Sequence, residues 1–287
     1  MIIGRALTLT LAAAAVAAAF AVAAADKTYS IQAPGAKPGQ SQAPQAGHDT
    51  HEKSGKPQAR HSVHWSYEGE GGPGEWGRLE PDFAKCYLGK AQSPVNIAKP
   101  AAKKIAAITF DYQPSKLDAV NNGHTVQFNY ESGSYMEVDG KRYELLQLHF
   151  HAPSEHALDG KRYPLEFHFV HKSGEGKLAV IGVMASVGGA NAAYHALLDN
   201  LPLASGEERR NKNIVVNAAS LLPKNRSYAA YSGSLTTPPC SEEVAWHVLT
   251  KPVSLSEEQI ARLKQTYAAN SRPLQKLNGR ELVISGN

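Results

Sequence analysis

Between residues 106 and 250 the chain breaks into short runs of aliphatic, aromatic and β-branched residues, several cut apart at Asn122-Gly123, Asp139-Gly140 and Asp159-Gly160. These dipeptides tolerate the positive φ values of tight hairpins, and runs of this length between them read as strands. The pattern confines the chain to a sheet-based architecture. The expected strands are 106–113, 124–130, 134–140, 143–151, 164–172, 178–186 and 242–250. Helical signals are few. Residues 256–267 open with Ser256 and carry Gln259 three positions on, a capping box with Ile260, Leu263 and Tyr267 along one face. Residues 191–201 are a second helical candidate. The expected fold is α+β and β-dominated: a single domain around a large twisted, mainly antiparallel β-sheet with a few short peripheral helices.

Ahead of this block the composition changes twice. Arg5 precedes an Ala/Leu/Val run that closes on Ala23-Ala24-Ala25, the layout of a cleaved signal peptide over residues 1–25. Residues 26–61 are rich in Pro, Gly, Gln, Ser and Lys and almost lack large apolar side chains. Such a segment cannot offset the entropy of ordering and reads as a flexible linker, with His48 and His51 solvated. Residues 62–287 then fit one domain. The expected location is periplasmic or secreted, since no other segment is long and apolar enough to cross a bilayer. The formal charge of +4, or +3 without Arg5, is scattered along the chain and leaves no nucleic-acid footprint. Cys86 and Cys240 make an even pair, which in an exported chain favours a disulfide closing a long loop.

Imidazole is sparse in most protein interiors, yet "LQLHFHAPSEH" (146–156) contains three histidines. Successive side chains of a strand point to opposite faces. Gln147, His149 and His151 therefore share one face, and Leu146, Leu148 and Phe150 the other, which is core. In 164–172, Leu165, Phe167 and Phe169 face one way, and Glu166, His168 and Val170 the other. Two imidazoles about 6.5–7 Å apart at the backbone can converge on one ion, and His168 from a neighbouring strand would complete three nitrogen ligands. Three histidines without a fourth protein ligand are the pattern of catalytic rather than structural zinc. Gln147 and Glu166, each two residues before a proposed ligand on the same face, are candidate acceptors for the second imidazole N–H. Spacing leaves His156 and His171 open as ligands, although His171 shares the parity of Leu165 and Phe167 and reads as packing or hydrogen bonding.

"LQLHFHAPSEH", "PLEFHFVH", "NNGHTV" and "YSGSLTTPPCSEEVAWHVL" resemble α-class carbonic anhydrases, and so do "QSPVNI" and "HWSYEG" nearer the N-terminus. The resemblance runs from about His64 to "RPLQKLNGREL". It implies reversible hydration of carbon dioxide to bicarbonate and a proton, by attack of a zinc-bound hydroxide. Zn2+ would be held by His149, His151 and His168, with Gln147 and Glu166 as acceptors behind them. Thr236 would accept a hydrogen bond from the hydroxide and donate to Glu155, because an ionised carboxylate can only accept. Thr237 matches a bicarbonate contact, and Val170, Val180, Leu235 and Trp246 match the apolar wall facing carbon dioxide. His124 matches the proton shuttle, a task suited to an imidazole titrating near neutrality. Tyr67, Asn122 and Gln127 match positions that order the intervening waters, where Gln127 departs from the usual asparagine. Cys86 and Cys240 match the disulfide of exported bacterial members.

Two other classes compete. A catalytically silent relative acting as a binding module would have lost one or more zinc histidines, and here all three stand. A periplasmic zinc-binding protein would carry long His/Asp tracts, which the linker lacks. The expected partner is the small-molecule substrate, and a homodimer is compatible with the sequence.

Overall fold

The computed structural model describes residues 64–285. The expected signal peptide and linker lie outside the described residues. Fourteen strands follow in chain order: β1 (Asn96–Ile97), β2 (Ala101–Lys103), β3 (Thr109–Asp111), β4 (Ser115–Asn121), β5 (Val126–Asn129), β6 (Tyr135–Val138) and β7 (Lys141–His151). Then come β8 (Ala157–Leu158), β9 (Leu165–Ser173), β10 (Leu178–Val187), β11 (Glu208–Val216), β12 (Tyr228–Ser234), β13 (Glu242–Leu255) and β14 (Val283–Ser285). The helices are short: α1 (Trp76–Leu79), α2 (Lys85–Leu88), α3 (His195–Leu198) and α4 (Glu257–Lys264).

Twelve strands form one sheet whose main path runs β11-β4-β5-β7-β9-β10-β13-β12-β14-β2, with β6 pairing β7 and β3. Most pairs are antiparallel; β10–β13 and β14–β2 are parallel. The two central strands β9 and β10 are buried along most of their length on both faces. One face carries the main core, which includes Leu148, Phe150, Leu165, Phe167, Phe169 and Ile181. The opposite face carries a smaller cluster with Val170, Val180 and Trp246. His149, His151 and His168 stand on this second face.

Two of the three expected tight turns hold; at Asn122-Gly123 only the glycine has positive φ (88°), and the connection runs over residues 122–125. Asp139 and Gly140 both have positive φ (50° and 70°), as do Asp159 and Gly160 (48° and 80°), the signature of a type I′ hairpin. Ser256 caps α4 with the reciprocal Gln259 bonds, at 3.1 and 3.2 Å. Residues 191–201 form only a 3₁₀ turn and the single turn of α3. β7 also corrects the parity reading at one point. The register with β9 shifts between Leu145 and Gln147, so Leu146 sits half-exposed at a bulge while Tyr143 and Leu145 join the core face. Beyond the bulge the alternation resumes as expected.

Candidate metal centre

β7 and β9 pair with His149 directly opposite His168 and His151 opposite Glu166. The three imidazoles thereby meet, with ring centroids 5.0 Å (His149–His151), 5.2 Å (His149–His168) and 4.6 Å (His151–His168) apart. Each ring has one nitrogen committed elsewhere. His149 Nδ1 donates to Gln147 Oε1 at 2.8 Å, His168 Nε2 to Glu166 Oε1 at 2.9 Å, and His151 Nδ1 to the Asn270 carbonyl at 2.6 Å. That leaves His149 Nε2, His151 Nε2 and His168 Nδ1. His151 Nε2 is buried with no hydrogen-bond partner. One nitrogen from each ring lies within 4.8 Å of the others. Burial, reinforced by its two neighbouring rings, holds the His149 imidazole well below its usual pKa. Burial lowers His151 too, against the pull of Glu155. Neutral imidazoles with free lone pairs are what a divalent cation requires, so the donor set fits zinc.

Glu166 is shared. Its Oε1 also accepts from His156 Nδ1 at 2.7 Å, and its Oε2 from the His156 backbone N–H at 2.8 Å. Because the carboxylate only accepts, His156 Nδ1 carries the proton. Its Nε2 then accepts from the Tyr231 hydroxyl at 2.6 Å, which in turn accepts from Ser93 Oγ at 2.7 Å. With both nitrogens engaged, His156 offers no free lone pair, although it stands with Glu166 and His168 in a second group whose ligand atoms lie within 4.8 Å of one another. Burial would raise the Glu166 pKa, yet the rings of His156 and His168 hold it well below the usual carboxylate range. Space for this carboxylate comes from Gly182 on β10, opposite His168: a Cβ there would lie 2.9 Å from Glu166 Oε1. His171 points into the main core and hydrogen-bonds Tyr112 at 2.6 Å, as parity predicts.

Glu155 is fully buried, and its Oε1 accepts from the Arg272 backbone N–H at 2.8 Å. Its Oε2 stands 3.5 Å from His151 Nε2 and has no hydrogen-bond partner. The bond expected from Thr236 is therefore not formed here, although Thr236 is buried on the loop that follows β12. Thr237 in the same loop accepts at its carbonyl from the Cys240 N–H at 2.8 Å. Val170, Val180, Leu235 and Trp246 gather in one apolar cluster, with the Trp246 ring 4.9 Å from that of His168.

On the polar side, Gln127 is buried opposite His149 and donates to Asn129 at 2.7 Å. Asn122 turns its side-chain oxygen back onto the N–H groups of His124 and Thr125, so it shapes its own loop. The Tyr67 hydroxyl is buried without a partner, and burial, with Glu155 nearby, raises its pKa well above the usual value. His124 lies apart from the metal ligands, stacked on Trp65 with ring centroids 3.5 Å apart. Cys86 and Cys240 form the expected disulfide, with an S–S distance of 2.09 Å.

Two residues escaped the sequence reading. Asn270, fully buried, orients His151 through its carbonyl and uses its side chain to bind Ala152 N, Phe150 O and His124 O. Arg272, whose backbone N–H binds the Glu155 carboxylate, ties it through its guanidinium to Gln92, Ser93 and Cys86. A backbone carbonyl ligates no motif, which is why Asn270 leaves no sequence signal.

Residues 71–286 match the family described as eukaryotic-type carbonic anhydrase. The chain is 42% identical over 228 residues to a carbonic anhydrase of Nostoc sp., covering 78% of this chain and 86% of that protein. It is 44% identical over 226 residues to one of Pectobacterium atrosepticum, covering 78% and 92%. Among solved structures, the α-carbonic anhydrase of Thermovibrio ammonificans in complex with sulfanilamide superposes with a TM-score of 0.75 at 42% identity, covering 77% of this chain and 98% of that one. A homodimer finds no support in these matches.

Proposed function

This chain belongs to the eukaryotic-type carbonic anhydrase family, and on that premise we propose that its three-histidine centre holds one zinc ion and hydrates carbon dioxide reversibly. Zinc bound there supplies a Lewis acid that lowers the pKa of a coordinated water to about 7, the value established for carbonic anhydrase itself. The chain's own residues set the rest. Gln147, the Asn270 carbonyl and Glu166 each fix which nitrogen a ligand ring presents. Glu155 Oε2, an acceptor without a donor, is free to accept a hydrogen bond from the Thr236 hydroxyl, which leaves the threonine oxygen to accept from the reacting water. Thr237 offers a contact to bicarbonate. Val170, Val180, Leu235 and Trp246 form a wall with little hydrogen-bonding capacity, suited to a neutral linear substrate. His124 carries the released proton outward along waters ordered by Tyr67 and Gln127, while Asn122 holds the His124 loop through its side-chain oxygen.

One observation carries this reading: three buried or half-buried imidazoles, each with its other nitrogen fixed, leave three lone pairs converging and one of them wholly unpartnered. It also separates the proposal from a silent binding module, which would not keep the set intact. His168→Ala should lose metal and hydration activity together; a fully active variant without metal refutes the ligand assignment. We further place the enzyme outside the cytoplasm, with residues 1–25 removed as a signal peptide and 26–61 as a tether, a reading that its bacterial relatives accompany. Among the described residues no helix is long and apolar enough to cross a membrane.

A further inference from the structure

The outer end of the proton path contains two imidazoles rather than one. His64 Nε2 lies 3.1 Å from His124 Nε2, and the two rings are stacked at 5.1 Å and 27°. At that separation the nitrogens share a hydrogen bond, one donating and the other accepting. His124 is held from three sides. Its ring lies on Trp65 at 11°, Asn122 Oδ1 accepts its N–H at 3.0 Å, and Asn270 donates to its carbonyl at 3.0 Å. His124 is half-buried, whereas His64 is exposed. We propose that His64 is the outer member of a two-imidazole relay, taking at Nε2 the proton that His124 Nε2 releases and handing it to buffer.

The transfer balances. Neutral His124, protonated at Nε2, accepts a proton at Nδ1 and becomes imidazolium. Its Nε2 proton passes to His64 Nε2, and His64 loses its Nδ1 proton to a buffer base; tautomer exchange then resets both rings. Burial disfavours charge on His124, and a proton already on His64 disfavours it further, lowering its pKa from 6.5 to about 4. That is below the near-neutral value expected from sequence, so the relay runs when His64 is neutral. The inner ring therefore holds a proton only in transit. The outer ring stands in water, where the charge is hydrated and buffer has access.

This inference rests on the reading of His124 as proton acceptor, and the test separates the two. Stopped-flow hydration is measured at low and high buffer for the wild type, His64→Ala, His64→Gln and His124→Ala, and for the double variant His64→Ala/His124→Ala. Glutamine can hydrogen-bond His124 but cannot carry a proton. Both His64 variants should lose at least about three-fold in kcat at low buffer, with the loss in kcat and not in kcat/KM, and recover with added imidazole. The double variant should be no slower than His124→Ala. If His64→Gln keeps the wild-type kcat while His64→Ala does not, His64 merely holds His124 and the relay is overturned. If neither His64 variant slows turnover but His124→Ala does, the relay fails and the shuttle stands. Absence of any loss in His124→Ala overturns both.

Discussion

Gly182→Ala is a one-carbon change that tests how the metal centre is supported. The added Cβ would lie 2.9 Å from Glu166 Oε1 and 3.4 Å from Val248 Cγ2. Ordinary contact needs about 3.4 Å, so the carboxylate must retreat by about 0.5 Å. Its bonds to His156 and His168, now 2.7 and 2.9 Å, would lengthen to about 3.2 and 3.4 Å, at or past the limit for N–H···O. Loosening an acceptor behind a ligand histidine costs about 10- to 100-fold in metal affinity, or about 1.4–2.8 kcal/mol. Crowding the core costs about 1–3 kcal/mol in stability, partly offset by the preference of about 0.5–1 kcal/mol for alanine over glycine within a strand. Competition for zinc against a chromogenic chelator reads the affinity directly, with circular dichroism confirming the fold. A folded Gly182→Ala variant binding zinc within about two-fold of wild type would refute the claim that this glycine reserves the space for Glu166.

The remaining predictions concern acid stability, the Thr236–Glu155 pair and the disulfide. His171 and His247 face the main core with unpartnered Nδ1 atoms, and burial lowers their pKa values from 6.5 to about 3 and about 4. The folded state stays neutral while the unfolded state protonates, so their contribution is complete above about pH 6.5 and is lost as pH falls toward 4 and then 3. Each group adds up to about 1.36 kcal/mol per pH unit, read as a falling urea midpoint; His247→Phe should flatten the profile by about one proton, and an unchanged profile contradicts the argument. Glu155→Gln replaces an acceptor-only group with one that can donate, which frees Thr236 to misorient; kcat/KM should fall by roughly 100-fold or more with zinc content intact, and wild-type activity would remove Glu155 from the mechanism. Cys86→Ser/Cys240→Ser opens a loop spanning 154 positions and should cost about 2–5 kcal/mol in urea unfolding, against near-neutrality if the bridge is incidental.

The parts of this molecule most legible in sequence are those where local pattern and tertiary environment agree. The parity of β7 and β9 placed His149, His151 and His168 on one face, and the paired register then brought them together. The Asp139-Gly140 and Asp159-Gly160 turns and the Ser256 cap were legible for the same reason: each rests on a few adjacent residues. Sheet edges were not. β11 is largely exposed and reads "ERRNKNIVV", with no buried face to impose alternation. β4 does alternate, but its inward positions include Ser115, Ala119 and Asn121, so apolarity alone missed it. The bulge at Leu146 needed the partner strand to define it. His156 could not be told from a ligand by spacing, since what excludes it is the occupation of both its nitrogens by Glu166 and Tyr231. The residues named for Thr236, Thr237 and the wall came from family resemblance, because loop threonines and core valines carry no chemistry in their spacing.

The most direct test of the central claim is carbon dioxide hydration followed by stopped flow on one preparation with its metal quantified, before and after chelation and after return of stoichiometric zinc. The account predicts one zinc per chain, loss of hydration in proportion to zinc removed, and recovery on adding one equivalent. Hydration that persists in metal-free protein, or binding of zinc that survives simultaneous replacement of His149, His151 and His168 by alanine, would contradict it.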